Sequence, residues 1–122
     1  MCFDHITIGD NVEITWDCQF YDTSFHYVED NNGNTNKLTS PIVIRDNCWI
    51  GNRCTICKGC VLPEYSILGS GTLANKDYTQ NGSYCMYTGV PAKVKKEGVK
   101  RVFDLQREAE LDNEFSYHRN HL

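Results

Sequence analysis

The chain lacks any apolar run close to the roughly 20 residues that a membrane-spanning helix needs. Positive charge is also in deficit: 12 Lys and Arg stand against 16 Asp and Glu, and the net charge of −4 argues against a nucleic-acid-binding face. The first ten residues, MCFDHITIGD, have neither the basic nor the apolar stretch of a secretory signal peptide. We therefore expect a cytoplasmic protein, and 122 residues have room for one domain.

Cysteine, by contrast, is plentiful. Four of the seven cysteines lie in IRDNCWIGNRCTICKGCVL, and three of these have the spacing CxxCxxC. Thiols stay reduced in the cytoplasm, where a cysteine cluster is a candidate metal or iron–sulfur site. The alternative is that another rule of the sequence places cysteine at these positions.

That rule is a repeat of six residues. Apolar residues recur at this interval in two series: Ile8, Ile14 and Phe20, then Ile44, Ile50, Ile56, Leu62 and Leu68. Two positions before each of them lies a second apolar or small residue: Ile6, Val12 and Cys18, then Ile42, Cys48, Cys54, Cys60 and Ser66. Neither a helix nor a simple alternating strand has this period. A coil with three flat faces of six residues does.

The repeat assigns the cysteines to the core. Cys48, Cys54 and Cys60 occupy the inward position that demands a small side chain, and reduced cysteine is a small hydrophobe. We predict three buried free thiols, stacked in line along one face. Cys57 is out of phase and is expected to face outward at a corner. Because a zinc or cluster site needs a converging set of ligands, we predict no metal.

The repeat is interrupted once. Residues 5–22 predict one coil and residues 42–77 two more, whereas 23–41 are rich in Asn, Asp, Gly, Ser and Thr and predict a loop. The apolar positions 20 and 44 are separated by a multiple of six, as expected if the loop is extruded from a corner without changing the phase.

Two domains of unequal size follow from this pattern. Residues 1–96 form the repeat domain with its loop at 23–41, and residues 97–122 form a helical tail. Four apolar residues of the tail are expected to form one stripe of the helix: Val99, Val102, Phe103 and Leu111.

Two segments carry a family resemblance. WDCQFYDTSFHY, residues 16–27, resembles the part of sugar O-acetyltransferases in which a histidine follows the repeat on an extruded loop. CWIGNRCTICKGCVLPEYSILGSGTLANKD, followed by TGVPAKVKK, is similar to the acetyltransferase signature of a Trp-Ile-Gly coil, a Gly-Ala-Gly-Ser turn, a Thr-Lys-Asp step and Gly-Val-Pro-Ala. The chain is identified as a member of the hexapeptide-repeat acyltransferases, sugar O-acetyltransferase type.

The resemblance implies a fold, a reaction and an assembly. The fold is all-β, a left-handed parallel β-helix with an extruded loop and a short C-terminal helix. The reaction is transfer of an acetyl group from acetyl-CoA to a sugar hydroxyl, as in polysaccharide biosynthesis. The assembly is a homotrimer with its active sites between subunits.

His26 and Asp22 are the catalytic residues that the resemblance implies. An attacking hydroxyl must lose its proton, and an imidazole with a pKa near 6.5 is a suitable general base. Asp22, four residues earlier, would orient the imidazole. The competing interpretation makes His26 a solvated loop residue and Asp22 a turn residue.

The acetyl-CoA site that the resemblance implies has seven residues: Trp49, Asn52, Ser70, Asn75, Lys76, Lys93 and Lys96. The lysines at 93 and 96 would meet the nucleotide phosphates. Alternatively, these lysines are a solvated run and Trp49 is a packing aromatic. A different class of function also stays open: a non-catalytic β-helical assembly module, or a truncated and inactive relative of the acetyltransferases.

Overall fold

The computed structural model describes residues 2–120, with side chains described as far as residue 115. Within this range the chain forms eleven short strands and one α-helix, with a single 3-10 turn at Thr79–Asn81. The strands are β1 (Ile6–Ile8), β2 (Glu13–Ile14), β3 (Gln19–Tyr21), β4 (Ile42–Ile44), β5 (Trp49–Ile50), β6 (Thr55–Cys57), β7 (Val61–Leu62), β8 (Ile67–Leu68), β9 (Leu73–Ala74), β10 (Cys85–Thr88) and β11 (Lys93–Glu97), and the helix is α1 (Leu105–Asn120).

Successive strands join three sheets in rotation. The first sheet has the order β1-β4-β7, the second β2-β5-β8 followed by β10 and β11, and the third β3-β6-β9. All neighbours are parallel except β10 and β11, which form an antiparallel hairpin. Residues paired between the second and third coils lie 18 positions apart, as in Val43 with Val61 and Thr55 with Leu73. The predicted distribution of six-residue segments over three sheets is confirmed.

The turns between the sheets share one backbone conformation. A residue with positive φ recurs every six positions: Asn11 and Asp17 in the first coil, then Asn47, Arg53, Gly59, Tyr65 and Gly71. Asn, Asp and Gly enter this left-handed region at low cost, whereas Arg and Tyr do so only under constraint from the surrounding structure. Each such residue turns the chain from one sheet to the next.

The side chains between the sheets are those that the repeat predicts. Ile50, Ile56 and Leu62 are completely buried, and so are Cys48 and Cys54. The thiol of Cys48 donates to the carbonyl of Pro63 at 3.2 Å, and that of Cys54 donates to Gly69 at 3.2 Å, each fifteen residues later on the next coil. The small inward position therefore also suits a weak side-chain donor.

The predicted stacking of the three cysteines in line is wrong. Cys48 precedes β5, Cys54 precedes β6 and Cys60 precedes β7, and these strands belong to three different sheets. A step of six residues moves a side chain around the coil rather than along it. The three thiols are buried as predicted, and the half-buried Cys57 lies in β6.

The segment at 23–41 lies between β3 and β4 and contains no strand or helix, and we call it the arm. Backbone N–H groups of the first coil bond carbonyls 35 residues later, as from Thr15 to Ile50, whereas those of the second coil bond carbonyls 17 residues later, as from Thr55 to Thr72. The difference of 18 equals one full coil, so the arm leaves the register unchanged. Isolated antiparallel bridges, Thr23–Thr39 and Glu29–Thr35, close the arm on itself.

The C-terminal helix begins later than predicted. Residues 99–104 are neither helix nor strand, and Arg101 contacts the second sheet: its guanidinium lies 5.8 Å from the centre of the Trp49 ring and its Nη2 lies 2.6 Å from Oε2 of Glu13. Asp104 then caps α1 by accepting the N–H of Arg107 at 3.0 Å.

The start of α1 at Leu105 and the end of β11 at Glu97 bear on two expectations about the tail. Val99, Val102 and Phe103 precede α1 and cannot share a helical stripe with Leu111. Strand β11 also runs through Glu97, across the boundary predicted between the two domains, and the division itself stays a prediction. In residues 2–120, no helix has the length and apolarity to cross a bilayer.

The burial pattern predicts the order of thiol reactivity. Burial raises the pKa of Cys48 to about 11 and that of Cys60 to about 12, and only a thiolate reacts readily. With Ellman's reagent, we expect the exposed Cys2 to react fast, Cys57 more slowly, and Cys48, Cys54 and Cys60 only as fast as the protein unfolds. All seven should react after denaturation. Rapid reaction of Cys54 in the native protein would contradict the assignment of this position to the core.

Candidate functional site

His26 lies near the base of the arm and is exposed. Its backbone is fixed on both sides: its N–H donates to the carbonyl of Ser24 at 2.7 Å, and its own carbonyl accepts Oγ of Ser24 at 3.2 Å and Nδ2 of Asn36 at 3.3 Å. Phe25 turns the chain just before it, with φ of 64°. The histidine is thus presented to solvent by an ordered turn rather than by an unstructured loop.

A cavity of about 300 Å³ lies beside this turn, on the outer face of the β3-β6-β9 sheet. Its walls include two aromatic rings, and the lining residues are Tyr21, Thr23, Ser24, Phe25, Cys57 and Lys58. The Phe25 ring is held edge-on between Tyr21 at 6.1 Å and Phe3 at 5.9 Å. A small molecule in this cavity would contact residues directly before His26 in the chain.

Asp22 is completely buried and binds the N-terminal segment. Its carboxylate accepts the backbone N–H of Phe3 at 2.8 and 2.9 Å and that of Asp4 at 2.5 Å. Burial acts to raise the pKa of Asp22, but the N–H groups of Asp4 and Phe3 outweigh it, so the pKa lies below its ordinary value. Both carboxylate oxygens are engaged there, whereas the predicted orienting role requires a contact with the imidazole.

The predicted cofactor residues lie in three places. Asn52 and Ser70 meet at the corner that follows the second sheet, where Oγ of Ser70 donates to Oδ1 of Asn52 at 2.5 Å. The backbones approach closely here, because a Cβ on Gly51 would lie 2.8 Å from the carbonyl of Leu68. The N–H of Gly71 also donates to the carbonyl of Asn52 at 2.9 Å.

The other five cofactor candidates are separated from that corner. Trp49 lies half-buried on the second sheet under Arg101, and the exposed Lys93 and Lys96 lie on β11 at the far edge of the same sheet. Asn75 and Lys76 are exposed and follow β9 in the third sheet. A single chain therefore does not gather these seven residues into one pocket.

Two residues that hold the arm were not predicted, Lys58 and Asn36. Neither belongs to the repeat, and an isolated Lys or Asn in a polar segment carries no signal of a tertiary contact. Among the residues that the structure describes, no group of three or more His, Cys, Asp or Glu side chains is placed to hold a metal ion.

Comparisons with known proteins find similar acetyltransferases, although no family model matches the chain. Galactoside O-acetyltransferase of Escherichia coli K12 is 32% identical over 92 residues, which are 75% of this chain and 44% of that protein. A hexapeptide-repeat-containing acetyltransferase of Vibrio cholerae, solved with acetyl-CoA, is 30% identical with a TM-score of 0.63 over 75% of this chain and 49% of its own. The chain is similar to hexapeptide-repeat acetyltransferases over three quarters of its length.

A third relative extends the structural match. The polysialic acid O-acetyltransferase OatWY is 27% identical with a TM-score of 0.71, and the match covers 90% of this chain and 54% of that one. The chain thus spans only about half the length of the hexapeptide-repeat acetyltransferases that it matches. The family resemblance deduced from the Trp-Ile-Gly coil and its following turns is confirmed.

The contacts of Asp22 predict a stability effect. Asp22→Asn keeps the shape but removes the charge, and we expect the free energy of unfolding at neutral pH to fall by about 1.5–3 kcal/mol, the usual contribution of hydrogen bonds to a charged group. Urea unfolding measures the difference. Asp17→Asn, which removes the same charge at an exposed corner, should leave the stability nearly unchanged.

The difference in the free energy of unfolding between wild type and Asp22→Asn should depend on pH. Because the native pKa of Asp22 lies below 3.8, the carboxylate's contribution is complete above that value and is lost as the pH falls through the native pKa. The stabilities of wild type and Asp22→Asn should therefore converge in acid. A difference that stays constant as the solution is acidified would contradict the account of this carboxylate.

Proposed function

We propose that the chain carries the catalytic part of an acetyl-CoA-dependent O-acetyltransferase that acts on a sugar or polysaccharide-precursor hydroxyl in the cytoplasm. The observation that supports it best is the placement of His26: the arm of a hexapeptide-repeat acetyltransferase presents an exposed histidine beside an aromatic-walled cavity. Relatives named for galactoside and polysialic acid support a sugar as the acceptor.

We infer a left-handed parallel β-helix as the complete fold. The rotation of strands through three sheets, the 18-residue pairing and the positive φ at every sixth residue support a closed triangular coil. The resemblance to hexapeptide-repeat acetyltransferases supports the left hand, which runs against the general preference for right-handed parallel crossovers. The three outer faces of such a coil are flat enough to pack against a neighbour.

The proposed reaction assigns proton transfer to His26. The acceptor oxygen attacks the thioester carbonyl while the imidazole takes the hydroxyl proton. The resulting oxyanion collapses, the carbon–sulfur bond breaks, and the thiol of CoA leaves with a proton. Backbone N–H groups at a coil edge are suitable donors to the oxyanion. Asp22 acts in this scheme from a distance, by fixing the N-terminal segment against which Phe25 packs.

We propose that acetyl-CoA lies along the edge formed by Asn52 and Ser70, with Lys93 and Lys96 toward its phosphates. The exposed Ser70 and its side-chain contact with Asn52 support this corner as the edge along which a pantetheine chain would lie. Trp49, Asn75 and Lys76 complete the proposed contacts. Their separation in one chain supports a site that two subunits build together.

A homotrimer is therefore expected in solution. Cyclic symmetry closes the side-by-side contact of three-faced coils and would cover exposed apolar side chains such as Trp16, which is 65% exposed, and Val90, which is 71% exposed. Light scattering at micromolar concentration should give three times the mass of the chain. A mass of one chain across that range would contradict the inter-subunit site.

Replacement of the histidine tests the catalytic assignment. His26→Ala should lower kcat on a sugar acceptor by about 10²–10⁴-fold, the usual contribution of positioned proton transfer, with little change in CoA affinity. His5→Ala, at an exposed position of the N-terminal segment, serves as the matched control. Release of CoA thiol gives the rate, and calorimetry gives the affinity. Full kcat in His26→Ala would overturn the assignment.

Variants of the proposed cofactor residues should affect acetyl-CoA binding more than kcat, which is the opposite of the effect expected for His26→Ala. Trp49→Ala and Lys76→Ala should raise the KM for acetyl-CoA with a smaller effect on kcat, as expected when an interaction is common to the ground state and the transition state. If the wild type binds no CoA at millimolar concentration, the proposal of an enzyme fails, and the non-catalytic assembly module becomes the better account.

A further inference from the structure

A polar network attaches the arm to the second coil, in addition to one backbone hydrogen bond from Gly59 to Pro41 at the base of the arm. An arm extruded from a corner has no neighbouring strand to continue its backbone pairing, and such loops are mobile unless side chains bind them. Yet His26 can serve as a general base only if its imidazole stays within hydrogen-bond reach of the acceptor. The residues that fix the arm therefore bear on the reaction.

Lys58 binds the arm from the coil. This half-buried residue directly follows β6, and its Nζ donates to the backbone carbonyl of Lys37 and lies 3.4 Å from Oγ of Ser24. Ser24 and Lys37 lie on the two opposite sides of the arm. A single ammonium thus joins both sides to the second coil, and hydrogen bonds from a charged donor are stronger than those between neutral groups.

Asn36 continues the network from Ser24 to His26. Its Nδ2 donates to Oγ of Ser24 at 3.0 Å and to the carbonyl of His26 at 3.3 Å, and its Oδ1 accepts the N–H of Val28 at 2.5 Å. The Asn36 side-chain amide therefore contacts the backbone of both His26 and Val28. Since an amide has two donor hydrogens and one acceptor oxygen, all its polar groups are used in holding this turn.

We propose that Lys58 and Asn36 form a clamp that positions the general base, with Lys58 anchoring the arm and Asn36 fixing the turn at His26. This inference rests on the proposed function of His26 and adds two positioning residues that do not touch the reacting atoms. It also explains why Lys58 is half-buried at the rim of the cavity with its ammonium directed to the arm.

Hydrogen exchange tests the clamp without an activity assay. In Lys58→Met, amides of the arm that are hydrogen-bonded in the native turn, those of Ser24, His26 and Val28, should exchange about tenfold faster, the effect expected from losing one hydrogen bond. The matched control is Lys37→Met, which removes a charge beside the clamp but keeps the carbonyl that Lys58 binds. Unchanged exchange in Lys58→Met, or an equal rise in Lys37→Met, would overturn the clamp.

Kinetics tests whether the clamp serves catalysis. Lys58→Met should lower kcat about tenfold or more while the KM for acetyl-CoA stays within about twofold, because small displacements of a catalytic group are costly. Lys58→Arg should restore part of kcat, since a guanidinium can donate to the same oxygens. Asn36→Asp, which keeps the acceptor for Val28 but loses both donors, should also lower kcat without destabilising the core.

Hydrogen exchange, kcat and CoA binding together distinguish a failure of the clamp from a failure of the proposed acetyltransferase function. Faster exchange in Lys58→Met with unchanged kcat would mean that the clamp holds the arm but does not position the base, and the inference would be wrong. No CoA binding by the wild type would remove the proposed function and with it the catalytic role of the clamp, whereas the exchange result would still decide whether the clamp exists. Faster exchange together with a lower kcat and partial recovery in Lys58→Arg supports the inference.

Discussion

Backbone hydrogen bonds between successive coils govern this structure. Each coil must place its N–H groups opposite carbonyls of the next coil, and between the second and third coils that partner lies seventeen residues later, as in Trp49 to Ser66. Eighteen residues divided among three sheets leave six residues for each strand together with the corner that follows it. The small inward side chain, the inward aliphatic and the left-handed corner residue are all consequences of that spacing.

The same constraint determines where chemistry can be added. A segment inserted between two strands leaves the pairing intact only if the strands on either side return to the same register, as β3 and β4 do around the arm. The corner is therefore a permissive place for an extra segment, and an exposed histidine is placed there without disturbing the core. What the corner does not provide is rigidity, because backbone pairing ends at Tyr21 and resumes at Ile42 except for isolated bridges. Side-chain contacts from the coil supply it.

Sequence reasoning succeeded where one short-range rule sets the structure. The six-residue period predicted the three sheets, the burial of Cys48 and Cys54, and the extrusion of the arm. It failed where a contact between residues distant in sequence determines the local structure. The helix begins at Leu105 because Arg101 binds Trp49 and Glu13, residues far away in sequence, and hydrophobic periodicity cannot show such a contact.

In the candidate site, too, distant contacts could not be predicted from the sequence. Asn52 and Ser70 meet because they occupy equivalent corners one coil apart, whereas their role in binding acetyl-CoA stays a prediction. The partners of Asp22 could not be predicted, because nothing in MCFDH signals that the N-terminal segment folds back to a carboxylate 19 residues away. The expected line of cysteines failed for a geometric reason: side chains stack along a face every eighteen residues, whereas steps of six residues run around the coil.

We propose that the corner after the second sheet binds CoA. Backbone amide NMR of the labelled protein during titration with CoA tests it most directly, because each coil contributes its own resonances. The account predicts shifts centred on Asn52, Ser70 and Gly71, extending to Lys93 and Lys96 on β11, with little change at Ile44 in the core. An absence of shifts at millimolar CoA, or shifts confined to residues away from this corner and β11, would contradict it.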